Sequence, residues 1–197
     1  DNVVLRLKNG STVPVAINSL SQADQEFIKQ SMAANTGGNS EKNWTMFRGS
    51  DNSGISPDTG LLKSWPGSGP EQLWIFKDAG MGYSGFAIVD GRLYTMGTKN
   101  ENEVHMVCID TSSGSEVWSQ AFATDDSQGY NAGWGNGPRG TPTFSDGKLY
   151  GLGPKGVIAC LDAESGKVLW KKDLQSDFGG QAGGWGFSES PLVDGNK

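Results

Sequence analysis

One histidine and two cysteines are all that the 197 residues offer of the commonest transition-metal ligands. His105 stands alone in ENEVHMVC, a strand by its pattern, so neither a histidine-built zinc site nor a Ser-His-Asp triad is supported. Basic charge is also scarce. Lys and Arg number 16 against 22 Asp and Glu, a formal charge of −6, with no basic cluster. That counts against nucleic acid or an anionic lipid surface as a partner. No apolar run approaches the length of a membrane span. There is no signal peptide, and Asp1 opens what already reads as a strand, so the chain is expected to be an internal piece or a processed product that continues past Lys197. Only 35% of the residues are hydrophobic, whereas glycine reaches 30 and tryptophan seven. Many glycines and aromatics without long apolar segments predict short strands joined by tight turns.

The first stretch, residues 1–30, differs from the rest. VVLRL and TVPVAI read as two strands around Asn9-Gly10, a hairpin signal. Ser21-Gln22-Ala23-Asp24 has the form of a capping box, and Leu20, Ala23 and Phe27 fall on one face of a short helix. Residues 31–43, SMAANTGGNSEKN, are small, polar and without period, which predicts a linker.

From residue 44 onward the sequence repeats. GFAIVDGRLYTMG (85–97), GTPTFSDGKLYGLG (140–153) and SPLVDGNK (190–197) align on Asp90-Gly91, Asp146-Gly147 and Asp194-Gly195. Each complete copy is followed by a second hairpin, VCIDTSSGSEVW or IACLDAESGKVLW, with Gly114 or Gly166 at the tight turn. LWIFKD (73–78) is expected to add a lone outer strand. Trp74, Trp118 and Trp170 recur at spacings of 44 and 52 residues. About four strands per copy at such a period predict an all-β fold, an incomplete β-propeller of about three blades, over residues 44–197. VIACLD is apolar on both faces, as a strand between stacked sheets should be. Cys108 and Cys160 occupy the same place in two copies. Stacked sheets would hold them about 10 Å apart, too far for a disulfide, so two buried free thiols are expected.

Asp110 through Trp118 and Asp162 through Trp170 resemble the repeat of the PQQ-type β-propeller family, and NWTMFRGSDNSGIS and LLKSWPGSGPEQLWIF resemble the segment that leads into it in exported bacterial members. The resemblance implies that Trp74, Trp118 and Trp170 dock against neighbouring blades. VVLRLKNGSTVPVAINSLSQADQEFI resembles the closing half of an SH3-like homology domain of the endocytic clathrin-adaptor family, which implies a peptide-binding attachment module. True quinoproteins of the propeller family hold PQQ with calcium through carboxylate and amide ligands, an aspartate base and often a vicinal cysteine pair. No Cys-Cys occurs here and no residue matches that calcium site. The expectation is therefore a non-catalytic, extracytoplasmic scaffold, periplasmic or envelope-associated, with no cofactor of its own and a protein or peptide partner. The alternative is a PQQ- and calcium-dependent oxidoreductase.

The loops before each inner strand are the candidate site. GYNAGWGNGPRGTP (129–142) and GGQAGGWGFSESP (179–191) share Ala-Gly, Trp-Gly and a closing Pro, with MGYSGF (81–86) as a shorter counterpart. In a propeller such loops crowd one mouth of the central channel. Tyr83, Trp134 and Trp185 would form an aromatic rim there, with Arg139 and Glu189 as its charged members. The plainer reading is that the Trp-Gly pairs pack under their own loops while Arg139 pairs with a local acid. Asp125-Asp126 lacks the alternating oxygen ligands of a calcium loop and reads as a solvated turn. Asp110 and Asp162 are expected to accept backbone N–H groups of their own turns.

Overall fold

The computed structural model describes residues 2–6, 12–22, 24–26 and 43–195, and divides into two compact units, residues 1–40 and 41–197. In the first unit β1 (Asn2–Arg6) pairs antiparallel with β2 (Thr12–Ala16), Asn2 opposite Ala16. A 3-10 turn, Ile17–Ser19, follows, and then residues 22 and 24–26 are helical. The capping arrangement is present: the Asp24 N–H donates to Ser21 Oγ at 3.2 Å, and the Ser21 hydroxyl donates to the Asp24 carboxylate. Asn9-Gly10, Phe27 and the linker up to residue 42 lie outside the described residues.

The second unit is built from two four-stranded antiparallel sheets. The first runs β3 (Phe86–Val89), β4 (Arg92–Lys99), β5 (Glu103–Asp110), β6 (Glu116–Thr124). The second repeats the order with β7 (Thr143–Ser145), β8 (Lys148–Leu152), β9 (Val157–Asp162) and β10 (Val168–Asp173). Asp90 and Gly91 take φ of 48° and 78°, and Asp146 and Gly147 take 48° and 70°. Two successive positive-φ residues make the type I′ turn whose twist suits a two-residue hairpin. The hairpins therefore fall where the Asp-Gly pairs predict them.

The sheets pack face to face. Tyr94, Met96, Met106, Cys108 and Phe122 of the first meet Leu149, Ala159, Leu161 and Ala163 of the second in one buried cluster. Gly151 marks a close approach, since a Cβ there would lie 2.7 Å from Met106 Cε and 2.8 Å from Met96 Sδ. Both cysteines are buried and free, one in each sheet, and burial pushes the Cys108 thiol up to about 11. The fold is all-β, and the stacked four-stranded sheets are blades of a partial β-propeller.

Two extended segments complete the unit. Residues 43–45 lie along edge strands of both sheets: Trp44 exchanges backbone hydrogen bonds with Ile88 (2.8 and 2.7 Å), and the Phe144 N–H donates to the Thr45 carbonyl at 2.7 Å. LWIFKD is not a strand, contrary to expectation; Leu73 is 77% exposed, and residues 73–78 form no ladder. Strand propensity is realised only beside an edge that supplies partners, and among the described residues none lies along this segment. It is held instead by its indole, as described below. Residues 190–194, the start of the third copy, are likewise extended without pairing, tethered by Thr141 N–H to Ser190 Oγ at 2.8 Å and by the Thr143 hydroxyl to the Pro191 carbonyl.

Candidate functional site

Each repeat carries the same small construction at its second hairpin. The Asp110 carboxylate accepts the N–H groups of Ser112 and Ser113, both at 3.0 Å, and Asp162 accepts that of Ser165 at 2.8 Å. Gly114 and Gly166 close these turns at φ of 69° and 72°. An indole from the preceding part of the chain covers each glycine. Trp74 Nε1 donates to the Thr111 carbonyl at 2.8 Å with its ring 2.6 Å from where a Gly114 Cβ would stand. Trp118 Nε1 donates to the Ala163 carbonyl at 3.2 Å with its ring the same 2.6 Å from a Gly166 Cβ. Gly166→Ala should therefore destabilise the fold through both the turn conformation and the displaced ring, by about 2 kcal/mol or more; the fall in melting temperature is read by differential scanning calorimetry. Trp170 differs. It is 43% exposed and tilts over Tyr150 of its own sheet, ring centroids 6.2 Å apart.

Asp110 also pairs with Arg92 at 2.6 Å. The Ser112 hydroxyl and the Ser113 N–H, the leading influences, hold its carboxyl well below the ordinary 3.8, at about 2. A carboxyl lowered on folding contributes stability above its unfolded pKa and loses it as pH falls through the folded value. The parent should thus weaken between about pH 4 and pH 2, and Asp110→Asn should flatten that part of a melting-temperature profile.

The three loops predicted to share a rim are joined in a row. The Tyr83 N–H donates to the Pro138 carbonyl at 2.8 Å and the Asn131 N–H to the Gly184 carbonyl at 2.7 Å, while the Phe187 N–H anchors the third loop to the Pro154 carbonyl between β8 and β9 at 2.9 Å. Tyr83, Trp134 and Arg139 meet directly: the Tyr83 hydroxyl donates to the Trp134 carbonyl, and the Arg139 guanidinium lies 5.4 Å from the Tyr83 ring centroid. It also lies 5.2 Å from the Tyr130 ring centroid. Arg139 donates to the carbonyls of Gly137 (2.9 Å), Gly135 (3.1 Å) and Asn131 (3.5 Å). Among the described residues no acid pairs with it, so the plainer reading of Arg139 does not hold. Nor do the indoles pack under their loops. Trp134 is 79% exposed and Trp185 50%. Glu189 stands apart, exposed, its carboxylate accepting the Ser188 N–H at 2.9 Å.

Beneath the rim lies Asp125, and here the expected solvated turn is corrected. Asp126 is exposed and paired to Lys155 at 2.6 Å, but Asp125 is 0% exposed. Its carboxylate accepts the Tyr130 hydroxyl (2.8 and 2.9 Å), the Gly137 N–H (2.7 Å), the Ser127 N–H (3.0 Å) and, more weakly, the Thr98 hydroxyl (3.5 Å). Burial, and then the bond to Asp125, pushes the Tyr130 phenol up to about 12. The loop from 125 to 137 is thus closed over one carboxylate. Tyr130 and Asp125 are the members that sequence reasoning missed. The available signal was the short spacing from Asp125 to Tyr130, within a segment that otherwise reads as polar turn.

The donor set does not suit a calcium ion with its quinone. Among the described residues no group of three or more His, Cys, Asp and Glu is placed to hold a metal ion. The one buried carboxylate there is committed to Tyr130, Gly137 and Ser127. His105 is occupied by Ser119 Oγ at 2.9 Å and Glu103 at 3.3 Å.

Residues 108–197 match the family described as outer membrane protein assembly factor BamB. Over 41 residues the chain is 46% identical to quinohemoprotein alcohol dehydrogenase ADH-IIG of Pseudomonas putida, a stretch that is 21% of this chain and 6% of that protein. The solved structure of quinohemoprotein alcohol dehydrogenase ADHIIG from Pseudomonas putida HK5 aligns with 83% of this chain and 23% of its own at a TM-score of 0.52 and 20% identity. Quinohemoprotein alcohol dehydrogenase of Comamonas testosteroni aligns with 59% of this chain and 16% of its own, at 0.42 and 24%. The chain therefore spans under a quarter of these relatives, and what it shares with the first structure is the fold. No helix among the described residues is long and apolar enough to cross a membrane.

Proposed function

We propose that the chain is a section of a non-catalytic, extracytoplasmic propeller scaffold that binds a protein or ligand through the rim of Tyr83, Trp134, Arg139, Trp185 and Glu189, with residues 1–30 as an SH3-like attachment module. Trp74, Trp118 and Trp170 serve as inter-blade fasteners. One observation carries the reading: the Arg139 guanidinium is spent on three carbonyls of its own loop and two tyrosine rings, while the indoles of Trp134 and Trp185 face outward. Such a rim is rigid and presents rings rather than reactive groups. Loops of Tyr, Trp, Gly, Ser and Asn on a stiff scaffold suit recognition, because large rings give contact area at little entropic cost. The family description, an outer membrane assembly factor, supports an envelope location. In the full-length protein, Arg139→Ala should loosen binding without touching any turnover. A measured turnover abolished by Arg139→Ala or Glu189→Ala would overturn the scaffold reading.

A second reading is favoured by the short stretch 46% identical to a quinohemoprotein alcohol dehydrogenase: an oxidoreductase that takes PQQ and calcium on residues outside those described. Incubating the full-length protein with both should then give cofactor absorbance and dye reduction. Neither signal is expected on the scaffold reading.

A further inference from the structure

We infer that the rim formed by Trp134 and Trp185 is a binding site for a neutral oligosaccharide, the sugar rings lying on the two indoles. This rests on the binding rim proposed above and names its ligand class. The side chains around the indoles decide the class. From 128 to 140 and from 179 to 190, the residues are Gly, Ala, Pro, Asn, Gln and Ser with the aromatics Tyr130, Trp134, Trp185 and Phe187, plus Arg139 and Glu189. No Leu, Ile, Val or Met stands among them.

A dry protein hot spot needs aliphatic surface packed around its aromatic anchors to exclude water. Here the indoles rise from Gly133-Trp134-Gly135 and Gly184-Trp185-Gly186, in loops that also carry Asn131, Asn136, Gln181 and Ser188. That combination matches a pyranose, which offers a flat face of C–H bonds to a ring and hydroxyls at its edge to amides.

Charge excludes the other small ligands. An anion would need a cation turned toward the indoles, and Arg139 is turned into its own loop, donating to the carbonyls of Gly135, Gly137 and Asn131 and lying against the rings of Tyr83 and Tyr130. A cation would need a carboxylate aimed at the rings, and Glu189 accepts its own loop's Ser188 N–H while Asp125 is buried beneath. What remains is a neutral ligand held by stacking and hydrogen bonds.

The two platforms are also coupled. The Asn131 N–H to Gly184 carbonyl bond at 2.7 Å ties their loops. Trp134 lies three residues from that bond, at most about 11 Å along the Cα trace, and Trp185 one residue from it. A chain of a few sugar rings spans such a separation.

The test uses the full-length protein and the hexaoses of cellulose, xylan, mannan, laminarin and chitin, followed by isothermal titration calorimetry and by tryptophan emission. At least one hexaose should bind and shift the emission. Trp134→Ala and Trp185→Ala should each weaken that binding about tenfold, the worth of one lost stacking contact, with melting temperature unchanged for Trp134→Ala, whose ring is 79% exposed, and lowered only slightly for Trp185→Ala, whose ring is half covered. Trp65→Ala, also exposed but outside these loops, should bind as the parent does. Absence of binding to all five sugars, or binding indifferent to both rim substitutions, would overturn the assignment. A displayed peptide library captured by the parent and lost in Trp134→Ala would overturn the sugar but leave the binding rim standing. Capture of neither would overturn both.

Discussion

Asp125→Ala is expected to cost about 3 kcal/mol and to release the rim loop while both sheets stay folded. The carboxylate is buried and gathers four donors from Tyr130, Gly137, Ser127 and Thr98. Removing it leaves the Gly137 N–H and the Tyr130 hydroxyl without acceptors, and an orphaned buried donor costs about 1–3 kcal/mol each before any relaxation to water. Relaxation is available only to the loop, because Thr98 belongs to β4 and is held by its ladder. Hydrogen exchange should therefore accelerate at residues 127–138 and remain slow in β4, β5 and β9. Asp125→Asn keeps one acceptor oxygen and should fall between the two. Uniform acceleration across both sheets would show that the carboxylate supports the core rather than the loop.

The other large effect belongs to Trp118. Its truncation to alanine should cost about 3 kcal/mol or more, since the ring covers Gly166, donates to the Ala163 carbonyl and packs against the buried cluster between the sheets. Trp170 occupies the equivalent place in the next copy, yet 43% of it is exposed and its ring pairs with Tyr150 of its own sheet. Trp170→Ala is accordingly expected to cost about 1 kcal/mol in this chain, far less than a fully buried ring, since only the covered part of its surface is lost. Urea unfolding of the pair separates the two. Equal losses would mean that the indole acts within its own sheet and that its seat on the neighbouring turn is incidental.

Much of this was readable from the residues. Asp90-Gly91 and Asp146-Gly147 dictate hairpins because both positions must take positive φ, and the two Asp-to-Trp phrases predict equivalent turns. Those signals are local. Three features escaped because they depend on neighbours far along the chain. Val117 and Leu169 look like ordinary ladder residues, but the pairing slips just before Trp118 and Trp170, a β-bulge that re-aims each indole. LWIFKD has the composition of a strand, and its failure to pair is a matter of available edges. Asp125 sits in ATDDSQG, polar throughout, and its burial arises only when Gly137 folds back over it. The aromatic and charged members of the rim recur at matching places in the repeats, but the contacts of Arg139 with Tyr83 and Tyr130 arise only when the loops come together.

The indole seats have a direction. Trp74 reaches forward to the turn at Gly114, and Trp118 reaches forward to the turn at Gly166. Both of these seats thus present one donor ring and one acceptor turn of the same kind. Duplicating or deleting a whole copy would bring a matching ring and turn together at the new seam. A gene encoding such a chain can therefore change its number of copies in single steps without new interface residues having to evolve.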